Sequence, residues 1–186
     1  SGKVRKGGKE IDTSTVPKAI ENGLAYLPED RKSCGLVLGE TISRNISMAN
    51  LKRVSKGGVV NPNQEIAETG ENAKRFGVKC SSIFQAAGNL SGGNQQKVVL
   101  AKWMFNLPDV LILDEPTRGI DVGAKYDIYC IINELAAAGK CVLVISSELP
   151  ELLGVCDRIY IMNEGQIKGE KLRSEATQEN IMKLLI

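Results

Sequence analysis

Two clusters in the 186-residue sequence combine residue types and spacings suited to phosphate chemistry. The apolar run Val110-Leu111-Ile112-Leu113 ends in Asp114-Glu115-Pro116, which sets adjacent carboxylates at the carboxyl edge of a predicted strand, where α/β folds gather their ligands. An aspartate there can hold Mg²⁺ directly or through water, and a neighbouring glutamate can orient or deprotonate an attacking water in phosphoryl transfer. Taken alone, the pair reads equally well as an acidic turn that ends a strand. The second cluster, Leu90-Ser91-Gly92-Gly93-Asn94-Gln95-Gln96, puts a serine and two glycines ahead of a predicted helix. Such a start offers free backbone N–H groups, a hydroxyl and the positive end of the helix dipole to a phosphate. Ser-Gly-Gly by itself is also an ordinary N-cap with a flexible turn.

Composition narrows the chemistry further. The sequence contains no histidine, which excludes Ser-His-Asp catalysis and His-ligated metals and removes the commonest general base. The cysteines Cys34, Cys80, Cys130, Cys141 and Cys156 are odd in number, scattered and without a C-x-x-C pair, so they are expected to be reduced thiols in buried structural positions. With 24 basic against 22 acidic residues, interspersed, the charge is too balanced for a nucleic-acid-binding footprint. No apolar run approaches the ~20 residues that span a bilayer, and the first residues lack the apolar core of a signal peptide, so any membrane association is expected to come through a partner.

The elements that must position the two clusters follow from periodicity and punctuation. Val4 to Tyr26 reads as short strands and turns, with Lys6-Gly7-Gly8-Lys9 as a turn on a solvated basic hairpin and Gly23 to Leu27 as a strand stopped by Pro28. A short helix is expected over Asn45 to Val54, broken at Gly57-Gly58, and a polar helix from Asn61-Pro62 to about Phe76. After Asn89 strands alternate with helices: the Ser-Gly-Gly helix, strand 110–113, a helix from Val122 to Ala138 capped by Gly139, and Cys141 to Ile145 as a strand buried on both faces. A helix from Leu149 to Leu153, a strand from Arg158 to Met162, the turn Asn163-Glu164-Gly165, a strand from Gln166 to Gly169 and a helix opening at Thr177 complete the order. This pattern predicts an α/β domain with a mostly parallel sheet.

Leu-Ser-Gly-Gly-x-Gln-Gln, an apolar strand about twenty residues on, Asp-Glu-Pro and then Gly119-Ile120-Asp121 form an ordered set that resembles ABC transporter ATPases. Leu90 to Trp103 and Leu113 to Lys125 are similar to the second cassette of the tandem ATPases that serve ribose, xylose, galactose and multiple-monosaccharide importers. Tyr26-Leu27-Pro28-Glu29-Asp30-Arg31-Lys32 and Ile145-Ser146-Ser147-Glu148-Leu149-Pro150-Glu151 extend the match to nearly the whole chain. Ile83-Phe84-Gln85 and Cys156 to Tyr160 look most like the multiple-sugar members.

The resemblance implies an ABC-type P-loop NTPase fold divided into a β-rich portion with the Q-loop over residues 1–32, a helical insertion over 33–89, and the signature, Walker B and C-terminal α/β portion over 90–186. It implies ATP and Mg²⁺ as ligands. Signature residues Ser91, Gly92, Gly93 and Asn94 would complete a nucleotide site belonging to a first cassette, with Asp121 in the D-loop reaching across the same interface. Asp114 (Walker B, Mg²⁺ through ATP) and Glu115 (general base) would belong to this cassette's own site. Glu29 stands where the family usually has a glutamine and Ser147 where it usually has a histidine. No G-x-x-x-x-G-K-[ST] loop occurs, since Gly8-Lys9 is followed by Glu10, so the resemblance implies a cassette beginning after its phosphate loop, inert alone and with an exposed sheet edge. Implied partners are the first cassette, transmembrane permease subunits and, indirectly, a sugar-binding protein, with no nucleic acid; the implied place is the cytoplasmic face of the membrane, peripheral, and soluble as a fragment. Alternatives are a non-catalytic regulatory or interaction half and a DNA-repair or translation-type ABC ATPase.

Overall fold

A computed structural model describes residues 2–185. In chain order the elements are β1 (Val4–Lys6), β2 (Lys9–Ile11), α1 (Val16–Glu21), β3 (Leu24–Leu27), α2 (Ile42–Ser47), β4 (Ser55–Lys56), β5 (Val59–Val60), α3 (Pro62–Arg75), α4 (Gly92–Met104), β6 (Val110–Asp114), α5 (Val122–Ala137), β7 (Cys141–Ile145), α6 (Leu149–Val155), β8 (Arg158–Asn163), β9 (Gln166–Leu172) and α7 (Gln178–Met182). The central sheet is parallel, with β6 between β3 and β7, and the remaining strands form two-stranded antiparallel ribbons. The fold is thus α/β around a parallel sheet, as the alternation of strands and helices predicts.

In-register residues explain which side of this sheet is the core. Ala25, Leu111 and Val142 lie side by side, as do Leu27, Leu113 and Val144; all but Ala25, which is itself buried, join a cluster with Val98, Val99, Leu100, Phe105, Ile128 and Ile132 from α4, its C-cap and α5. Tyr26, Ile112 and Leu143 lie on the opposite face, where Tyr26 is 46% and Leu143 48% exposed. The expectation that Cys141 to Ile145 is buried on both faces is therefore corrected: the strand alternates, because among the described residues the helices cover one face of the sheet only. The same geometry exposes Cys141. Cys34 is also exposed and the other cysteines are only partly buried, against the expected burial; all five are free thiols.

Residues 36–90 pack into that same core through Leu36, Ile42, Ile46, Val54, Ala73, Phe76 and Ala87 rather than forming a core of their own. Where one helix is expected over Asn45 to Val54, α2 starts at Ile42 behind the N-cap Thr41 and gives way to a 3₁₀ segment, Met48–Val54, kinked at Asn50. Asn45 lies inside α2 because its amide is consumed by Val37, Glu40 and Thr41 backbone groups in the turn just before the helix, a use that propensity does not reveal. The helix α1, absent from the strand-and-turn reading, is capped by Thr15 and carries Pro17 in its first turn, the position where a proline costs no hydrogen bond. A second apolar cluster, Ile159, Ile161, Ala176 and Ile181 with Leu149 and Leu152, joins the β8–β9 hairpin to α6 and α7. Its turn, Glu164-Gly165, has positive φ at both residues, as a two-residue hairpin demands.

Candidate functional site

The signature turn forms where the chain enters α4. Ser91 is the N-cap residue, yet its hydroxyl caps no backbone amide of the helix and instead accepts from Asn94 Nδ2 at 3.0 Å. Asn94 Oδ1 in turn accepts the Lys79 N–H at 2.8 Å, which ties the turn to the segment after α3. The glycines are required by contact. A Cβ on Gly93 would lie 2.4 Å from Ala124 Cβ in α5, and one on Gly92 would lie 2.8 Å from Arg31 Nη2. Close approach of the start of α5 at Gly93, and of Arg31 and the Gly119 carbonyl at Gly92, rather than an unusual φ, therefore explains this Gly-Gly pair.

Asp121 sits opposite as the N-cap of α5 and accepts the Ala124 N–H at 2.9 Å. Ser91, Gly93, Asn94 and Asp121 line one open cleft of about 420 Å³, with Lys79 and Lys97 adding positive charge. Lys97 is almost buried and pairs with Asp127 at 2.7 Å, which holds that carboxyl below its ordinary range. The open α4 N-terminus, the Ser91 hydroxyl and the Lys79 ammonium offer donors to an anion bearing several oxygens, while the Asp121 and Asp127 carboxylates on the same lining cap the α5 N-terminus and neutralise Lys97. A larger hollow of about 540 Å³ under the β1–β2 hairpin is lined by Lys3, Glu10, Asp12 and Ser14 and brings none of these residues together.

The acidic pair lies at the carboxyl end of β6. Asp114 accepts the Tyr26 hydroxyl at 2.7 Å from the neighbouring strand, and that bond to a carboxylate pushes the Tyr26 pKa up. Glu115 leaves the strand with φ of 45°, a left-handed conformation uncommon outside glycine, and its Oε1 accepts the Ser147 N–H at 2.8 Å. Its own N–H donates to Ile145 O at 2.8 Å, so the ends of β6 and β7 grip the residue from both backbone and side chain. Ser147 thus reaches Glu115 through its amide. Glu29, which follows β3, is paired with Arg118.

Beneath these loops lies a buried carboxylate that sequence reasoning treats only as part of a matching segment. Glu151 is 5% exposed and accepts from Thr117 Oγ1 at 2.8 Å and from the Ser146 hydroxyl. It therefore staples the loop after Glu115 to the loop that carries Ser147. The signal available in the sequence is a glutamate on a short helix flanked by apolar residues, and nothing in its spacing announces the partners. The nine residues singled out from the sequence thus divide: Ser91, Gly93, Asn94 and Asp121 line the cleft, Gly92 belongs to the same turn but not to the lining, and Asp114, Glu115, Ser147 and Glu29 lie at the strand ends, outside it.

No group of three or more His, Cys, Asp or Glu side chains able to hold a metal occurs among the described residues. Among them, too, no helix is long and apolar enough to cross a membrane.

Comparison with known proteins places this arrangement. A family model described as ABC transporter matches residues 1–118. The L-arabinose transport ATP-binding protein AraG of Geobacillus stearothermophilus is 60% identical over 185 residues, covering 100% of this chain and 36% of that protein. The xylose import ATP-binding protein XylG of Geobacillus kaustophilus is 52% identical over 97% of this chain and 36% of its own length. This chain thus spans little more than a third of the curated relatives it matches. Among solved structures, the ATP-binding cassette MJ0796, a dimer in a post-hydrolysis state bound to ADP and Pi, superposes with a TM-score of 0.76 at 20% identity, over 93% of this chain and 74% of that one, a likeness of fold.

Proposed function

This chain belongs to the ABC transporter family, and from that premise we propose that it is the ATP-binding portion of a bacterial monosaccharide importer that lends its signature turn to a nucleotide held by another cassette. The observation that carries the reading is the grouping of Ser91, Gly93, Asn94 and Asp121 around one solvent-open cleft, with Asp114 and Glu115 outside it. The names of the relatives, L-arabinose transport and xylose import ATP-binding proteins, support the sugar class.

In this reading the α4 N-terminus receives the terminal phosphate of ATP. The first-turn amides have no intrahelical partner, the Ser91 hydroxyl is not consumed as a cap, and Gly92 and Gly93 bring the backbone close with no side chain in the way. Such pre-aimed donors stabilise charge that develops during phosphoryl transfer without reorganising. Asp121 joins the same interface from the start of α5.

The acidic pair serves this chain's own nucleotide. Asp114 is the residue that would hold Mg²⁺, which when bound neutralises phosphate charge; a lone carboxylate suits an ion that takes most of its ligands from phosphates and water. Glu115 has one carboxylate oxygen fixed by the Ser147 amide, leaving the other to accept a proton from an attacking water. Glu29 is occupied by Arg118 and Ser147 offers a hydroxyl in place of an imidazole, so proton handling and γ-phosphate contact there are weaker. The signature side is the more competent half of the chemistry.

The segment from Ser33 to about Phe84, within the helical insertion at residues 33–89, would couple nucleotide-driven closure to the permease subunits at the cytoplasmic face of the membrane, with a sugar-binding protein acting on the far side. The division at residues 32 and 89 belongs to the same proposal.

The test compares Ser91→Phe with Glu115→Gln in the longer protein that carries this chain. Ser91→Phe fills the cleft and is expected to cut ATP hydrolysis by a factor of about 100, the scale of losing an aligned phosphate donor, whereas Glu115→Gln costs less than about tenfold. The opposite ranking would refute the division of labour. The chain by itself, mixed with ATP and Mg²⁺, is expected to show no turnover above background.

A further inference from the structure

Arg31 lies between the signature turn and the loop that leads to Asp121, and neither the family match nor the acidic and signature motifs assign it a part. Its guanidinium donates from Nη1 to Arg118 O at 2.8 Å and from Nη2 to Gly119 O at 3.2 Å, both in the stretch between Glu115 and Asp121. Gly119 has φ of 67°, so its carbonyl is aimed by a backbone conformation that favours glycine. The same Nη2 lies 2.8 Å from where a Cβ of Gly92 would stand, which places the fork against the backbone of the signature turn. Arg31 does not line the cleft, so it supports the turn from outside the space a ligand would fill.

The arginine is itself firmly mounted. It opens a wide π-helical turn, Arg31–Gly35, capped by Asp30, whose carboxylate accepts the Lys32 and Ser33 N–H groups at 2.9 and 3.2 Å. The far end of the turn rests on α4: a Cβ on Gly35 would meet Val99 Cγ2 at 3.2 Å, and Lys102 Nζ donates to Gly35 O at 3.0 Å. One residue before Asp30, Glu29 pairs with Arg118, a second tie between the same two segments. A planar fork that engages two successive carbonyls fixes orientation as well as distance, which a single ammonium does not.

We infer that Arg31 is a positioning residue that locks the signature turn and the Asp121 loop into one rigid unit, so that the two meet a nucleoside triphosphate in a fixed relative placement. The catalytic consequence rests on the proposed function; the mechanical one does not. Placement matters because a misplacement of about 1 Å in a catalytic constellation costs as much as two orders of magnitude in rate.

Amide hydrogen exchange on this chain tests the mechanical claim. The reporters are the Ala124 and Lys125 amides, bonded to Asp121, and the Gln95 amide, bonded to Ser91 O; α3 and the β8–β9 hairpin are internal references. Arg31→Gln is expected to speed exchange at both reporter groups by about tenfold or more while the references stay within about twofold. Arg31→Lys keeps the charge and loses the fork, and is expected to give the same two-loop pattern at about threefold. Unchanged exchange at either group, or an equal rise at the references, overturns the inference. In the longer protein, Arg31→Gln is expected to lower kcat for ATP by about tenfold or more with KM within about twofold. An unchanged kcat beside altered exchange would likewise overturn the link to catalysis. Absence of ATP turnover in the unmutated longer protein would instead sink the functional reading and leave the exchange result to decide on Arg31.

Discussion

Gly93→Ala is the sharpest probe of why the signature turn has its shape. The added methyl would stand 2.4 Å from Ala124 Cβ, and ordinary carbon contacts begin near 3.5 Å, so α4 and α5 must separate by about 1 Å. Neither party can swing aside, because both are methyl groups fixed on helical backbone. Overpacking of this kind costs about 1–3 kcal/mol. Against it, alanine gains up to about 1 kcal/mol over glycine in a helix, and Gly93 has no left-handed φ to forbid it. The expected net is a loss of about 1–2 kcal/mol, read by urea denaturation of the chain as a lower midpoint at unchanged m, or as a Tm lower by about 2–8 °C. Ala124→Gly removes the opposing methyl, so the double variant should recover most of the loss and return a coupling energy of about 1–2 kcal/mol. Additive effects, or a Gly93→Ala protein as stable as the parent, would refute the contact explanation and leave the glycine to be explained by ligand approach alone. Because the clash separates the helix starts that bear Ser91 and Asp121, ATP hydrolysis in the longer protein should fall even at temperatures where the variant is fully folded.

Three further outcomes follow from neighbouring contacts. Glu151→Ala strands the Thr117 and Ser146 hydroxyls in a buried site and should cost about 1–3 kcal/mol, with faster exchange of the Ser147 amide; Glu151→Gln, which keeps an acceptor, should cost less. Asp127→Asn leaves the nearly buried Lys97 without its anionic partner and should destabilise by about 1–2 kcal/mol, reduced from a fully buried pair because Asp127 is half-exposed. Since Lys97 lowers the folded-state pKa of Asp127, that contribution is complete above the ordinary carboxylate pKa and is lost as pH falls through the depressed value, so the variant's disadvantage should shrink below about pH 4 in acid-unfolding curves. Lys102 shifts in the opposite sense: burial lowers its pKa, so the folded chain favours the neutral amine and Lys102 costs stability until pH rises toward the ordinary lysine range. Lys102→Met removes that cost together with the bond from Lys102 Nζ to Gly35 O, so the two should offset to within about 1 kcal/mol at pH 7, and above about pH 10, where only the lost bond remains, thermal melts should put the variant below the parent.

Much of this molecule is legible along one dimension because its signals are local. Two-residue turns that need positive φ at Gly7-Gly8 and Glu164-Gly165, the capping residues Asn61, Asp121 and Thr177, and the apolar run before Asp114 each announce an element within a few residues of themselves. The ordered spacing of Ser91-Gly92-Gly93 and Asp114-Glu115 was likewise enough to point to phosphate chemistry, since helix N-termini and strand ends are where such chemistry must lie in an α/β fold.

Other features exist only once distant segments meet. Apolar composition alone made β7 read as buried on both faces, but which side of a parallel strand is covered depends on helices elsewhere in the chain, and Leu143 is left 48% exposed. The reason for Gly93 lies in Ala124, thirty-one residues away by number, and the reason Ser147 matters to Glu115 lies in a backbone amide that no side-chain identity reveals. Arg31 reads in the sequence only as part of a segment that resembles the family, and the packing of its turn on α4 is what makes it a fork for the Arg118 and Gly119 carbonyls. Sequence by itself determined most of the elements and the family resemblance, because those rest on residue type and short-range spacing. Tertiary structure decided which of those residues share a cleft, because side-chain and backbone groups act on one another over a few ångströms, a distance that position along the chain does not measure.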